Sequence, residues 1–184
     1  MAEKKKRHFN RRAYLEDFHR SVSGEYVYDG ATYSFSSANG MTRRQAIGVL
    51  WLFGGVLLAA SVAQGCLPAE SMLGCAYVLL PYGGMLVSAA SAIWALARLS
   101  ANRDPLREYI YKATVEALPG RSLFAFIFSV AALVGEGIFL FTHGFRDGGY
   151  SAILLVLMLF SLASAFLLLR AARLLRWTKD GERP

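Results

Sequence analysis

Four long apolar stretches, separated by short charged segments, constrain this chain more than any other feature. They lie between Arg44 and Glu70, Glu70 and Arg98, Arg121 and Arg146, and Asp147 and Arg170. Within them the one Asp, Glu, Lys or Arg is Glu136. A bilayer core about 30 Å thick takes roughly 20 apolar residues of helix to cross. Each stretch has that length, with spans expected at about 45–64, 76–99, 122–142 and 151–172. The sequence therefore predicts an all-α integral membrane protein, a bundle of four transmembrane helices.

The charge distribution sets an expected orientation. Nine Lys or Arg precede the first span, five lie from Arg98 to Arg121 and five from Arg170 to Arg183, while Arg146 stands alone on the other side. The positive-inside rule then places both termini and the middle loop in the cytoplasm, with the cell (plasma) membrane as the expected location. A formal charge of +7 in a soluble domain would point to nucleic acid. In this pattern it reads as a basic rim beside anionic lipid, and no nucleic-acid partner is expected. About forty polar residues precede the first apolar run, so that run is expected to insert as a permanent anchor and not as a cleaved leader.

The segment before the first span divides into three. A basic tail covers the first eight residues. From Asn10 to about Gly24, Tyr14, Leu15, Phe18 and Val22 recur at helical spacing, which predicts a short amphipathic helix. Asp29-Gly30 then separates two alternating segments, a strong hairpin signal. A two-residue turn there pairs Tyr28 with Ala31, Tyr26 with Tyr33 and Gly24 with Phe35. It collects Tyr26, Tyr28, Tyr33 and Phe35 on one face as an expected partner-binding surface. In the middle loop, Asp104-Pro105 predicts a cap and first turn of a cytoplasmic helix over about 105–118, ended by Pro119-Gly120. The expected domains are thus a cytoplasmic segment 1–44, a membrane domain 45–172 and a basic tail 173–184.

Glu136 is the natural candidate for chemistry inside the membrane, because ionisable groups at such depth are costly. Ser129 and His143 lie seven residues to either side, on the same helical face. Tyr82 and Ser61 fall at a similar depth on the second and first spans. The acid reads either as a coupling carboxylate or as a hydrogen-bonded carboxyl joining helices. Small-residue pairs, Gly55 with Ala59, Gly84 with Ser88 and Ser88 with Ala92, permit close helix packing. Pro81-Tyr82-Gly83-Gly84 is either a kink satisfied by neighbours or an unwound stretch facing a cavity. Cys66 and Cys75 sit in the first external loop. They read either as a disulfide in an oxidising compartment or as two small apolar residues at helix ends.

Catalytic signatures are missing from the sequence: it contains no HExxH, GxSxG elbow, phosphate loop or paired carboxylates. Neither a metal nor a cofactor is implied, and no enzyme is expected. The expected role is a non-catalytic subunit or accessory of a larger membrane assembly, a transporter complex in the first instance. Its partners would be the lipid bilayer and another integral membrane protein. The alternative is a homo-oligomeric small transporter or channel using Glu136.

Overall fold

The computed structural model describes residues 18–20, 26–28, 30–36, 40–144 and 149–180. The helices are α1 (Arg43–Gly65), α2 (Glu70–Gly74), α3 (Ala76–Ala101), α4 (Glu108–Tyr111), α5 (Leu118–His143) and α6 (Tyr150–Leu174). A π-helical turn over Lys112–Glu116 joins α4 to α5. The strands are β1 (Phe18–Arg20), β2 (Tyr26–Tyr28), β3 (Thr32–Ser36), β4 (Leu106–Arg107) and β5 (Arg176–Lys179).

Four of the helical stretches are long and apolar enough to cross a membrane. In the most apolar window of each, only 33–39% of residues are buried within the protein. The outward remainder is also apolar: Leu80 is 73% exposed, Val87 70%, Trp94 71% and Phe141 93%. In water such a surface would drive association, whereas in a bilayer it is solvated. The architecture is compatible with a multi-pass membrane protein.

The four long helices form an up-down-up-down ring, in which α1 packs on α3 and α6, and α5 packs on the same two. Helix α1 begins with a capping box: Thr42 Oγ1 accepts from the Gln45 amide at 3.3 Å, and Gln45 Oε1 accepts from the Thr42 amide at 2.9 Å. Ala46, Leu50, Gly54, Leu57, Ser61 and Gln64 then face inward at three- and four-residue spacing. Helix α3 is continuous through Pro81. Proline removes the donor that would bind the carbonyl four residues earlier, here that of Tyr77.

At one end of the ring, a three-stranded antiparallel sheet in the order β4-β3-β5 joins three distant parts of the chain. Tyr33 pairs with Leu106 on one side and Lys179 on the other, and Phe35 pairs with Trp177. This sheet end thus gathers the segment before α1, the loop between α3 and α5, and the segment after α6. The apolar core runs into it without a break, from Leu57 and Leu50 through Leu99 to Leu106, Ile110, Val115 and Leu118. At the opposite, loop end, α2 folds inward and buries Ala69, Ser71 and Met72.

Three expectations are corrected. Residues 18–20 form a strand where an amphipathic helix is predicted; the rest of that helix, apart from these three residues, lies outside the described residues. The expected Asp29-Gly30 hairpin does not form: β2 pairs with β1, Tyr26 opposite Arg20 and Tyr28 opposite Phe18, while β3 belongs to the other sheet. Local turn chemistry is outweighed there by two long-range neighbours that cover both edges of β3. Lastly, the middle-loop helix starts at Glu108 and not at Pro105, whose bond to Asp104 is cis, and it does not end at Pro119-Gly120. It passes through the π turn into α5. The shift in register falls where Pro119 withholds the donor that the Val115 carbonyl would use.

Candidate functional site

Glu136 is fully buried, on the face of α5 that also presents Ala132 and Phe139 to the core. Its neighbour Gly135 is what lets α5 come so near to α3. A Cβ at position 135 would lie 2.8 Å from the Tyr77 carbonyl oxygen, the acceptor that Pro81 leaves without its usual helical donor. Gly137 faces open space.

The other polar residues expected beside Glu136 bond chiefly elsewhere. Ser129 Oγ donates to the Ala125 carbonyl of its own helix at 2.8 Å. His143 is exposed, stacks on Phe139 with centroids 4.6 Å apart, and brings Nδ1 within 2.7 Å of Thr142 Oγ1. Tyr82 and Ser61 do meet, but through the backbone: the Tyr82 hydroxyl donates to the Ser61 carbonyl at 3.1 Å, and Ser61 Oγ donates to Leu57 O at 2.7 Å. This contact fastens α3 to α1.

Sequence reasoning missed Gln64, which is fully buried. Its Nε2 donates to Ser161 Oγ at 2.7 Å and to the Leu157 carbonyl at 3.2 Å, tying α1 to α6. As an amide at the apparent end of an apolar run, it looks like a boundary residue. Its bonds to α6 place it inside the bundle. Ser71 and Ser151 are buried at the same loop end, beside an apolar cluster that includes Met72, Val78, Met85 and Leu154. Among the described residues, no group of three or more His, Cys, Asp or Glu gathers as a metal site. Cys66 and Cys75 are free thiols in the structure, the first exposed and the second half-buried.

The aromatic residues expected to bind a partner rest on the chain itself. Tyr33 stacks on Tyr111 with centroids 4.1 Å apart and planes within 4°. Phe35 meets the Trp177 ring edge-on at 5.4 Å, and Tyr28 meets Tyr109 at 6.4 Å. Of Tyr26 the structure describes only the backbone pairing with Arg20. An aromatic face on a short strand needs a platform, and α4 and β5 supply it.

Small residues divide into two sets. Gly54, and not Gly55, is the packing position on α1: a Cβ there would come 2.9 Å from Leu96 Cδ1, while Gly55 has nothing near and Ala59 is exposed. On α3, Gly84 seats the Phe128 ring, with a Cβ at 84 only 2.8 Å from it, and Ala92 is fully buried. Ser88 is half-buried and donates to the Gly84 carbonyl at 2.7 Å. Beside them, a groove of about 680 Å³ opens outward, lined by Leu80, Gly83, Gly84, Val87, Ser88 and Phe128. Gly83 contributes no side chain to it and has open space around it.

Compared with known proteins, the chain matches no protein-family model, no curated protein and no solved structure.

Proposed function

We propose that this protein is a non-catalytic subunit or accessory of a larger membrane assembly, such as a transporter complex, in which the outer face of α3 receives a helix of its companion. The proposed setting is the cell membrane, with the sheet end in the cytoplasm, toward which nineteen of the twenty Lys and Arg are drawn. The observation that carries the reading is the groove along Gly83, Gly84 and Ser88. Apolar side chains gain little by leaving lipid for one another, so helices associate in membranes where small residues let backbones come close. Here Gly83 and Ser88 border an open groove, while Gly84 already seats the Phe128 ring of α5. Glu136 fits a structural carboxyl better than a coupling one, since it is enclosed by α5 and its neighbours at full burial. The aromatic strand, already seated on Tyr111 and Trp177, holds the sheet end together and is no longer assigned to the companion.

The test uses the tagged full chain, extracted in native lipid discs and weighed by native mass spectrometry beside its Gly83→Leu variant. The wild type is expected to carry a larger protein in fixed stoichiometry. Gly83→Leu, which adds bulk to the groove at a position where a Cβ meets nothing within 4 Å, is expected to lose that protein while keeping the wild-type thermal transition. A companion retained equally by both chains removes α3 from the reading. A homo-oligomer or monomer without companion overturns it and turns attention to transport by the Glu136→Gln variant.

A further inference from the structure

A second apolar recess lies at the other end of the molecule. Between the first turns of α1 and the last turns of α6, beneath β3, a crevice of about 130 Å³ is lined by Phe35, Met41, Ala46, Val49, Ala171 and Leu174, together with Leu50 and Leu175. Every lining side chain is apolar. The recess exists because Ala46 and Ala171 stand where larger residues would close the seam. Its size is close to the roughly 150 Å³ apolar cavity that takes up benzene in another protein, room for a short stretch of hydrocarbon chain but not for a helix face. Leu174 at its edge is 54% exposed, so the space communicates with the outside.

The two helices that wall this recess carry charge of one sign: α1 and α6 contain no Asp or Glu. The exposed Arg170 lies one turn before the lining Leu174 and the exposed Arg176 follows the lining Leu175, while Arg44 and Arg173 lie on the opposite faces of their helices from Ala46 and Ala171. Arg43 is engaged otherwise: its Nη2 donates to the Leu99 and Asn102 carbonyls at 3.1 and 2.6 Å, and its guanidinium lies 5.9 Å from the Trp177 ring centre. The acids nearby are engaged as well. Asp180 accepts from Thr32 and Ser34 at 2.8 and 2.7 Å, and Asp104 accepts from the Phe35 amide at 3.3 Å. An apolar slot at the end of two spans, with the exposed Arg170 and Arg176 beside its lining residues, has the amphiphilic pattern of a phospholipid.

We propose that this crevice holds a short stretch of one acyl chain of an anionic bilayer phospholipid, whose phosphate lies against Arg170 and Arg176. The site depends on the helices crossing a bilayer and not on any companion at α3. A juxtamembrane Lys or Arg strengthens binding to anionic lipid by about fivefold. A basic edge therefore selects the headgroup, while the slot retains the chain.

The experiment reconstitutes the full chain in discs of phosphatidylcholine and phosphatidylglycerol in equal parts, strips it with mild detergent and weighs the retained lipid. One phosphatidylglycerol per chain is expected on the wild type. Ala171→Phe, which fills the slot, is expected to lose it. Arg170→Gln combined with Arg176→Gln is expected to keep a lipid but lose the headgroup preference by about fivefold per arginine. Equal retention of both lipids by the wild type, or undiminished phosphatidylglycerol on folded Ala171→Phe, overturns the proposal. Should Ala171→Phe fail to fold, Leu174→Gln at the exposed edge carries the same expectation and the same refutation. A chain that keeps its companion but retains no lipid would refute this site alone.

Discussion

At the scale of the residue, the pair of glycines around Glu136 shows how much one position along a helix matters. Both look alike in sequence, yet Gly135 abuts the Tyr77 carbonyl while Gly137 meets nothing. Backbone cannot swing aside as a side-chain tip can. Gly135→Ala is therefore expected to push α5 from α3 and to destabilise the bundle by about 1–3 kcal/mol, the usual cost of overpacking. Gly137→Ala is expected to leave stability unchanged or raise it by up to about 1 kcal/mol through helix propensity. Unfolding of the two purified variants in the same detergent, followed by circular dichroism, compares them directly. Equal effects would mean that the close approach at Tyr77 carries no weight. The order Pro81, Tyr77, Gly135 also gives Pro81 a physical role: the carbonyl freed in one helix lies where the next helix comes close.

At the scale of the element, the sheet end is held by side chains that the nearby sequence does not connect. Asp180 bonds both Thr32 and Ser34, across more than 140 residues of chain. Bonds to a charged acceptor are worth about 1.5–3 kcal/mol when buried, and less at this partly exposed site. Asp180→Ala is expected to loosen β3 from β5, raising amide exchange over Thr32–Ser36 while leaving exchange within α1 and α6 unchanged. Unaltered exchange in β3 would show that the aromatic contacts of Tyr33 and Phe35 suffice alone. These elements also mark where the sequence was legible. The four spans were, because hydrophobic length is written in consecutive residues. The partners of β3 were not, because Leu106 and Trp177 lie far along the chain and no local pattern names them. Asp29-Gly30 is a real turn signal that lost to them. Gln64 was missed for a related reason: a polar residue ending an apolar run resembles a boundary until its partners on α6, almost a hundred residues away, are seen.

At the scale of the whole molecule, the sheet and the loops divide the bundle into two ends that a membrane would separate. The sheet ties together the three segments to which nearly all the basic residues belong, so one set of hydrogen bonds and one charge rule agree on which segments share a side. Cys66 and Cys75 lie at the other end. In intact cells, a membrane-impermeant maleimide is expected to label the exposed Cys66 without prior reduction. With both native thiols replaced by serine, Thr178→Cys on exposed β5 is expected to react only after permeabilisation. The opposite pattern would invert the orientation while keeping the four spans. Labelling of both positions from outside would be incompatible with the three spans that lie between them, and with it the bundle topology would fall. Reaction of Cys66 only after reduction would reveal a bonded pair, and the loop end would then be closed by a covalent link that the folded-in α2 does not need.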